Sequence, residues 1–465
     1  MTTDAAKGGR GLLWLVATGV FMQMLDTTIV NTALPAMARS LGESPLRMQA
    51  VVIAYALTVA VLIPASGWLA DRFGTRRVFF AAIALFSAGS LACALSQSLA
   101  QITAARVLQG VGGAMLLPVG RLAVLRSFPG TEFLRAMSFV TIPGLIGPLI
   151  GPTLGGWLVE VASWHWIFLI NLPIGVLGCI ATFRLMPDLR VAVRAFDAGG
   201  YALLAFAMVA LSLALDGVSA GQRFAVGSLL SIFGLAALAA YWLHAARTPS
   251  PLFPLRLFAV PSFRIGILGN LFARIGSSGM PFLIPLLLQV ALGHTPMQAG
   301  LAMIPVVLAG MAVKRVVVPL VTAFGYRRVL VGNTLLVGVA MASFALIGPE
   351  QPAWLRILQF ALFGAVNSLQ FTAMNTVTLR DLGSDLASSG NSLLSMVMML
   401  GMGFGVAVAG GLLGAFSEVG NGIAAGQALA AFRWSFACIG LVTLASAAIF
   451  WQLPDAPPMA PGEPA

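Results

Sequence analysis

Charge is what this chain has least of. Only 9% of its 465 residues are Asp, Glu, Lys or Arg, and Lys7 and Lys314 are its only lysines. Neither lysine ends a GxxxxGK[ST] phosphate-cradling loop, which excludes a primary pump driven by nucleotide hydrolysis. Cysteine is as scarce: Cys93, Cys179 and Cys438 all lie inside apolar runs, so neither a disulfide framework nor a metal site is legible. The three histidines, His165, His244 and His294, are scattered, with no pair at ligand spacing. With no HExxH and no defensible Ser-His-Asp set, a membrane-embedded hydrolase has no machinery, and the chain is expected not to be an enzyme.

What the chain has instead is oil. Hydrophobic residues make up 59% of it, the mean hydropathy is +0.95, and the apolar residues come in runs of roughly 20, the length of a helix that crosses a bilayer. A large soluble core would need polar faces at helical spacing, and most of these runs have none. Fourteen spans are expected, the first over 12–35, the third over 78–97, the tenth and eleventh over 297–316 and 328–348, and the last over 431–452. The first is expected to be an uncleaved helix and not a signal peptide, because thirteen further spans and no soluble domain follow it.

The loops orient the spans. Nineteen Lys and Arg fall in loops on the N-terminal side, Arg194 among them, against five on the other, Arg223 among them. Both termini are therefore expected in the cytoplasm. The formal net charge of +11 is then topogenic, and no nucleic-acid surface is expected.

The densest charge lies in "GWLADRFGTRRVFF" (67–80), and part of it recurs: "FGTRRV" at 73–78 returns as "FGYRRV" at 324–329, a constant offset of 251. The shift equals eight helices, which suits two six-helix halves with an extra pair between them, the parallel-repeat plan of secondary transporters. The expected fold class is thus all-α and polytopic. Its expected parts are a cytoplasmic tail (1–11), an N-terminal half (12–190), an inserted pair (191–250), a C-terminal half (251–452) and a second cytoplasmic tail (453–465).

The stretch 67–80 resembles the loop signature of the major facilitator superfamily. Four others, "LDTTIVNTALPAMA" (25–38), "RVLQGVGGAMLLP" (106–118), "GPLIGPTLGGWL" (147–158) and "WHWIFLINLPIG" (164–175), resemble further signatures, and the set is similar to that of the fourteen-span drug:proton antiporters. The resemblance implies proton-driven efflux of lipophilic drugs by alternating access in the inner membrane, with Asp26 and Arg106 at the functional charged positions. Two residues depart from the pattern: Thr322 stands where the first loop copy has Asp71, and His165 where Arg is usual.

The residues themselves point the same way. Asp26, Arg106 and Arg274 are the deep charges, each costing about 2.5–3.5 kcal/mol on insertion scales; Asp26 is the natural proton carrier with Arg106 as its partner, the alternative being a static buried ion pair. Gln23, Asp26, Tyr55, Gln109, Met115, Asn270, Arg274, Gln289 and Gln370 are the candidate substrate-facing residues, with Asn367 and Asn375 behind them. Most of these also suit helix-to-helix hydrogen bonds. Gly67, Asp71, Arg72, Gly74, Arg76 and Arg77 are candidates for a gating latch, or for a merely topogenic loop. Gly147, Pro148, Gly151, Pro152, Gly155 and Gly156 form a small-residue face fit either for a moving seam or for a static contact. Expected partners are the bilayer, a lipophilic small molecule and protons, with the chain a monomer and no cofactor beyond the proton gradient. Lipid or anionic-metabolite export on the same fold, and a non-transporting receptor, are the alternatives.

Overall fold

The computed structural model describes residues 3–128, 131–190, 195–219, 224–418 and 425–454. Arg194 and Arg223 of the loop count, and the tail from 455 onward, lie outside the described residues. Among those described there are helices and no strands. They are α1 (Thr3–Leu41), α2 (Gln49–Phe73), α3 (Thr75–Ala94), α4 (Leu99–Ser127), α5 (Thr131–Val161), α6 (Trp166–Leu169), α7 (Asn171–Leu185), α8 (Ala198–Ser219), α9 (Phe224–Arg247), α10 (Pro261–Leu286), α11 (Pro296–Ala302), α12 (Ile304–Ser343), α13 (Ala353–Arg380), α14 (Ser384–Glu418) and α15 (Ala425–Phe450).

Among the described residues, thirteen helical stretches are long and apolar enough to cross a membrane. One of them, Pro296–Leu346, has 51 residues, about 75 Å at 1.5 Å per residue, which is more than twice a bilayer core. It breaks at Gly325, whose φ of 77° no helix contains. The two arms make two crossings, so twelve single stretches and this double one give the expected fourteen. Gly74, at the matching place in the first copy, has φ 90° and is the whole connection between α2 and α3. Both halves of the repeated hexapeptide thus turn on a left-handed glycine, a conformation that a side chain strains. It also explains why α3 begins at Thr75 and not near 78, since no loop residues intervene. The sixth span divides into α6 and α7 about Ile170.

The chain forms two compact units. The first holds Met1–Phe196 with Thr295–Leu301. Here α1 packs along α5, and both α2 and α3 pack on α4. A Cβ on Gly147 would stand 2.8 Å from the Leu25 nitrogen and one on Gly155 2.7 Å from the Ile29 oxygen, so the glycine face of α5 admits the backbone of α1. Gly156 meets the Pro296 carbonyl in the same way.

The second unit holds Asp197–His294 and Ala302–Ala465. Its α8 and α9 pack on each other and α8 on α14, while α10 lies against α14. Asp197 caps α8 through the Gly200 amide (2.9 Å), takes the His244 ring on α9 (2.7 Å) and accepts from the Leu252 amide (3.0 Å). Burial raises this carboxyl's pKa, but those donors outweigh it and hold the group below the usual carboxylate range. In both units large apolar side chains face outward, Leu177 at 68% exposure and Leu441 at 67% among them, a surface that lipid tails and not water would cover.

Candidate functional site

Inside the first unit, α4 brings its polar residues to α1, α2 and α3 by giving up side chains. Gly112 lies so close to α3 that a Cβ would sit 2.4 Å from the Ala82 oxygen, and one on Gly113 would sit 2.5 Å from the Tyr55 hydroxyl of α2. The glycines of "RVLQGVGGAMLLP" therefore let three helices converge one to two turns from Arg106 and Gln109. At that convergence the Arg106 Nη1 donates to Asp26 Oδ2 at 2.6 Å and to Gln109 Oε1 at 2.6 Å. Its Nε donates to the Val51 carbonyl at 3.1 Å, and its guanidinium lies 4.2 Å over the Tyr55 ring. Asp26 is 0% exposed and Arg106 1%.

Further donors close around the carboxylate. Gln109 Nε2 donates to Asp26 Oδ1 at 2.8 Å and to Ser90 Oγ at 2.8 Å, and Asn171 Nδ2 reaches Asp26 Oδ1 at 3.5 Å and Ser90 Oγ at 3.2 Å. In each of these bonds an Asp26 oxygen is the acceptor. Ser90 and Asn171 were not singled out from the sequence. Asn171 sits in the quoted "INLPIG" and Ser90 follows Ser87 in an otherwise apolar run; nothing in the spacing ties either one to Asp26.

Of the other candidates in this unit, Gln23 is buried on α1 one turn before Asp26. Met115 lies elsewhere, in the wall of an apolar cavity of about 340 Å³ shared with Phe73, Arg77 and Leu85. The loop residues are tied within the same unit. Asp71 Oδ1 accepts from Arg126 Nη2 at 2.5 Å, Arg76 Nε donates to the Met186 carbonyl at 2.6 Å, and Arg72 lies 5.1 Å over Trp68. Thr75 Oγ1 donates to the Pro187 carbonyl at 2.5 Å, and Gly74 abuts the Asp188 carboxylate. No atom approaches within 4 Å of a Cβ on Gly67. Arg126, the partner of Asp71, is one of the nineteen loop cations, and nothing in the sequence sets it apart from the others. In the second copy, Thr322 Oγ1 donates to the Val318 and Pro319 carbonyls of its own helix, while Arg327 lies 5.1 Å over Trp451.

The second unit gathers a different set. Arg274 on α10, Asn367, Gln370 and Phe371 on α13, and Thr334 on α12 border one cavity of about 170 Å³. Gln370 is held there: its Oε1 accepts from Asn333 at 2.8 Å and its Nε2 donates to Thr334 Oγ1 at 2.8 Å. Asn270, Gln289 and Asn375 are not among the residues lining it. Asn270 instead ties α10 to α13 through Thr378 Oγ1 at 3.3 Å.

Comparison with known proteins fits this architecture. The family model of the Major Facilitator Superfamily matches residues 16–406 and 266–465. "Putative multidrug resistance protein MdtD" of Salmonella paratyphi B (strain ATCC BAA-1250 / SPB7) is 53% identical over 457 residues, covering 97% of each chain. The protein of the same name in Cronobacter sakazakii (strain ATCC BAA-894) is 52% identical over 456 residues, covering 97% of this chain and 96% of that one. Among solved structures, a POT family transporter in complex with 5-aminolevulinic acid superposes with a TM-score of 0.68 over 95% of each chain at 16% identity, a likeness of fold.

Proposed function

Because the chain belongs to the major facilitator superfamily, whose members are membrane transporters and not enzymes, we propose that it exports lipophilic small molecules in exchange for protons by alternating access. In this reading Asp26 carries the proton and Arg106 is the group it releases. The observation that carries it is the clamp: Asp26 is the only acid fully buried among the described residues, and its charge is balanced by one guanidinium at 2.6 Å. A static buried pair rarely adds net stability over an apolar one, so a functional reason for keeping it has weight. The name borne by the relatives, a multidrug resistance protein, supports drugs as the cargo class.

The remaining parts of the reading follow from it. The nineteen-to-five loop bias supports an inner-membrane protein with both termini in the cytoplasm. The proton gradient supplies the energy, a monomer suffices, and neither cofactor nor nucleic acid takes part. The repeated loops, the two six-helix halves and the helix pair between them supply the alternating scaffold, with the 67–77 loop and the α5 glycine face as its moving parts.

Reconstituted vesicles with an imposed pH gradient test the reading, using a panel of cationic, neutral and anionic lipophiles. Gradient-driven accumulation of at least one compound is expected for the native protein, and none for Asp26→Asn. Undiminished accumulation in the Asn variant removes Asp26 as carrier.

A further inference from the structure

Arg274 is the group the proton mechanism leaves unused. Its aliphatic stem runs along α14, where Gly401 leaves room: a Cβ there would lie 3.2 Å from Arg274 Cβ and 3.3 Å from its Cδ. The guanidinium stacks 4.5 Å over the Phe371 ring. Its Nε and Nη2 are closed off and have no hydrogen-bond partner. No acid borders the cavity it faces, whose other walls are the hydroxyls of Ser277, Ser278, Thr334 and Thr443, the amides of Asn367 and Gln370, and apolar Val337, Met374 and Pro281. A permanent cation in an apolar bundle needs a counter-charge, and this one has only a ring face. Had the residue served packing alone, its donors would be spent on carbonyls of neighbouring helices.

We propose that the Arg274 cavity is a subsite for the carboxylate of a lipophilic monocarboxylate cargo. The chemistry selects that class. A planar guanidinium matches a carboxylate, and the hydroxyl and amide walls solvate the rest of its oxygens. A single positive charge balances a monoanion and leaves a phosphate dianion half-neutralised. The apolar wall takes the cargo's body, and a quaternary ammonium meets only repulsion. The assignment rests on the transporter reading above and names its substrate class.

The test uses the full-length protein in nanodiscs and three ligands of one shape: phenylbutyrate, phenylbutyramide and phenylpropyl-trimethylammonium. A charged hydrogen-bonded contact makes the native protein bind the carboxylate about tenfold or more tighter than the amide, with the ammonium weakest. Arg274→Gln brings the carboxylate-to-amide ratio close to one while amide binding stays within about twofold, because only the charged contact is lost. Arg274→Lys, which keeps the charge without the planar fork, falls between. A native ratio of one or below overturns the subsite, as does a native-like ratio in a folded Arg274→Gln variant. Should that variant not fold, the native ratio and Arg274→Lys decide. The two readings fail separately: a carboxylate preference without gradient-driven transport sinks proton coupling alone, and gradient-driven transport without the preference sinks the subsite alone.

Discussion

Two arginines sit in apolar helices of one chain, and their surroundings are opposites. Arg106 in the first unit has a carboxylate, an amide oxygen and a main-chain carbonyl on its nitrogens, and an aromatic ring on its face. Arg274 in the second has the aromatic ring and, on Nε and Nη2, nothing. The first arrangement is complete in the protein as it stands; the second leaves two buried guanidinium nitrogens unmet, and it is this difference on which the proposed carboxylate subsite rests.

Stability breaks the comparison most sharply. Arg106→Leu leaves the Asp26 charge buried without its counter-ion, with only the Gln109 and Asn171 amides still on it, a change that costs about 3–5 kcal/mol when one partner of a buried pair is removed. Arg274→Met removes a charge that has no partner, fills similar space, and leaves stability unchanged or raised. Thermal unfolding of both variants in detergent is expected to show a large fall for the first and none for the second. Equal falls mean that Arg274 has packing partners as binding as those of Arg106.

The next effect separates fold from work. Asp26→Asn keeps an oxygen for Arg106 and keeps the neighbours Gln109 and Asn171, so the protein folds, yet its side chain can no longer exchange a proton. Uphill transport is expected to fall to background while downhill exchange persists, measured in the same vesicles with and without a pH gradient. Loss of both leaves Asp26 a cargo contact and not the carrier.

How much of this was legible in the sequence follows from what carried each signal. The spans were, because apolar length is a local property; their ends were not, since the first helix runs Thr3–Leu41 and the last Ala425–Phe450, both past the apolar run, while Gly74 ends α2 by itself and the sixth crossing breaks at Ile170. Asp26 and Arg106 stood out because charge in a run of oil is rare, and depth along each helix left them within reach of one another. Ser90, Asn171 and Arg126 did not stand out. Their roles depend on which helix faces which, and that is settled by the glycines of α4 and by the way the loop lies on residues 186–190, neither of which has a period or spacing to read. The scattered polar candidates divided for the same reason: Gln370 and Arg274 share a cavity, whereas Met115 and Asn270 face other neighbours.

A smaller effect belongs to the repeated hexapeptide. Gly74→Val puts a branched side chain at φ 90°, against the Asp188 carboxylate and the Arg190 guanidinium, and strain of this kind costs about 1–3 kcal/mol. Gly325→Val meets the same backbone penalty at φ 77°. Both variants are expected to unfold at lower temperature, Gly74→Val the more, because it must also displace the segment at 188–190. A drop confined to one of them means that the two loops no longer share a structural role.

The smallest effect on stability, and the most informative about motion, is at Asp71. Its bond to Arg126 is a partly exposed ion pair, with side-chain exposures of 33% and 22%, and pairs of that kind contribute about 0–1 kcal/mol. Asp71→Asn therefore leaves the unfolding temperature almost where it was. If the loop is a latch, what changes is the rate at which the cytoplasmic side opens, because the pair is worth something in one conformation and nothing in the other. The second copy supplies the control: Thr322 spends its hydroxyl on its own helix, so Thr322→Val touches no contact between helices and leaves the rate alone. Distance labels across the cytoplasmic side, followed in time, read both variants. An altered rate in Asp71→Asn alone makes the first loop a one-sided latch, and unaltered rates in both reduce its charge to orienting the chain in the membrane.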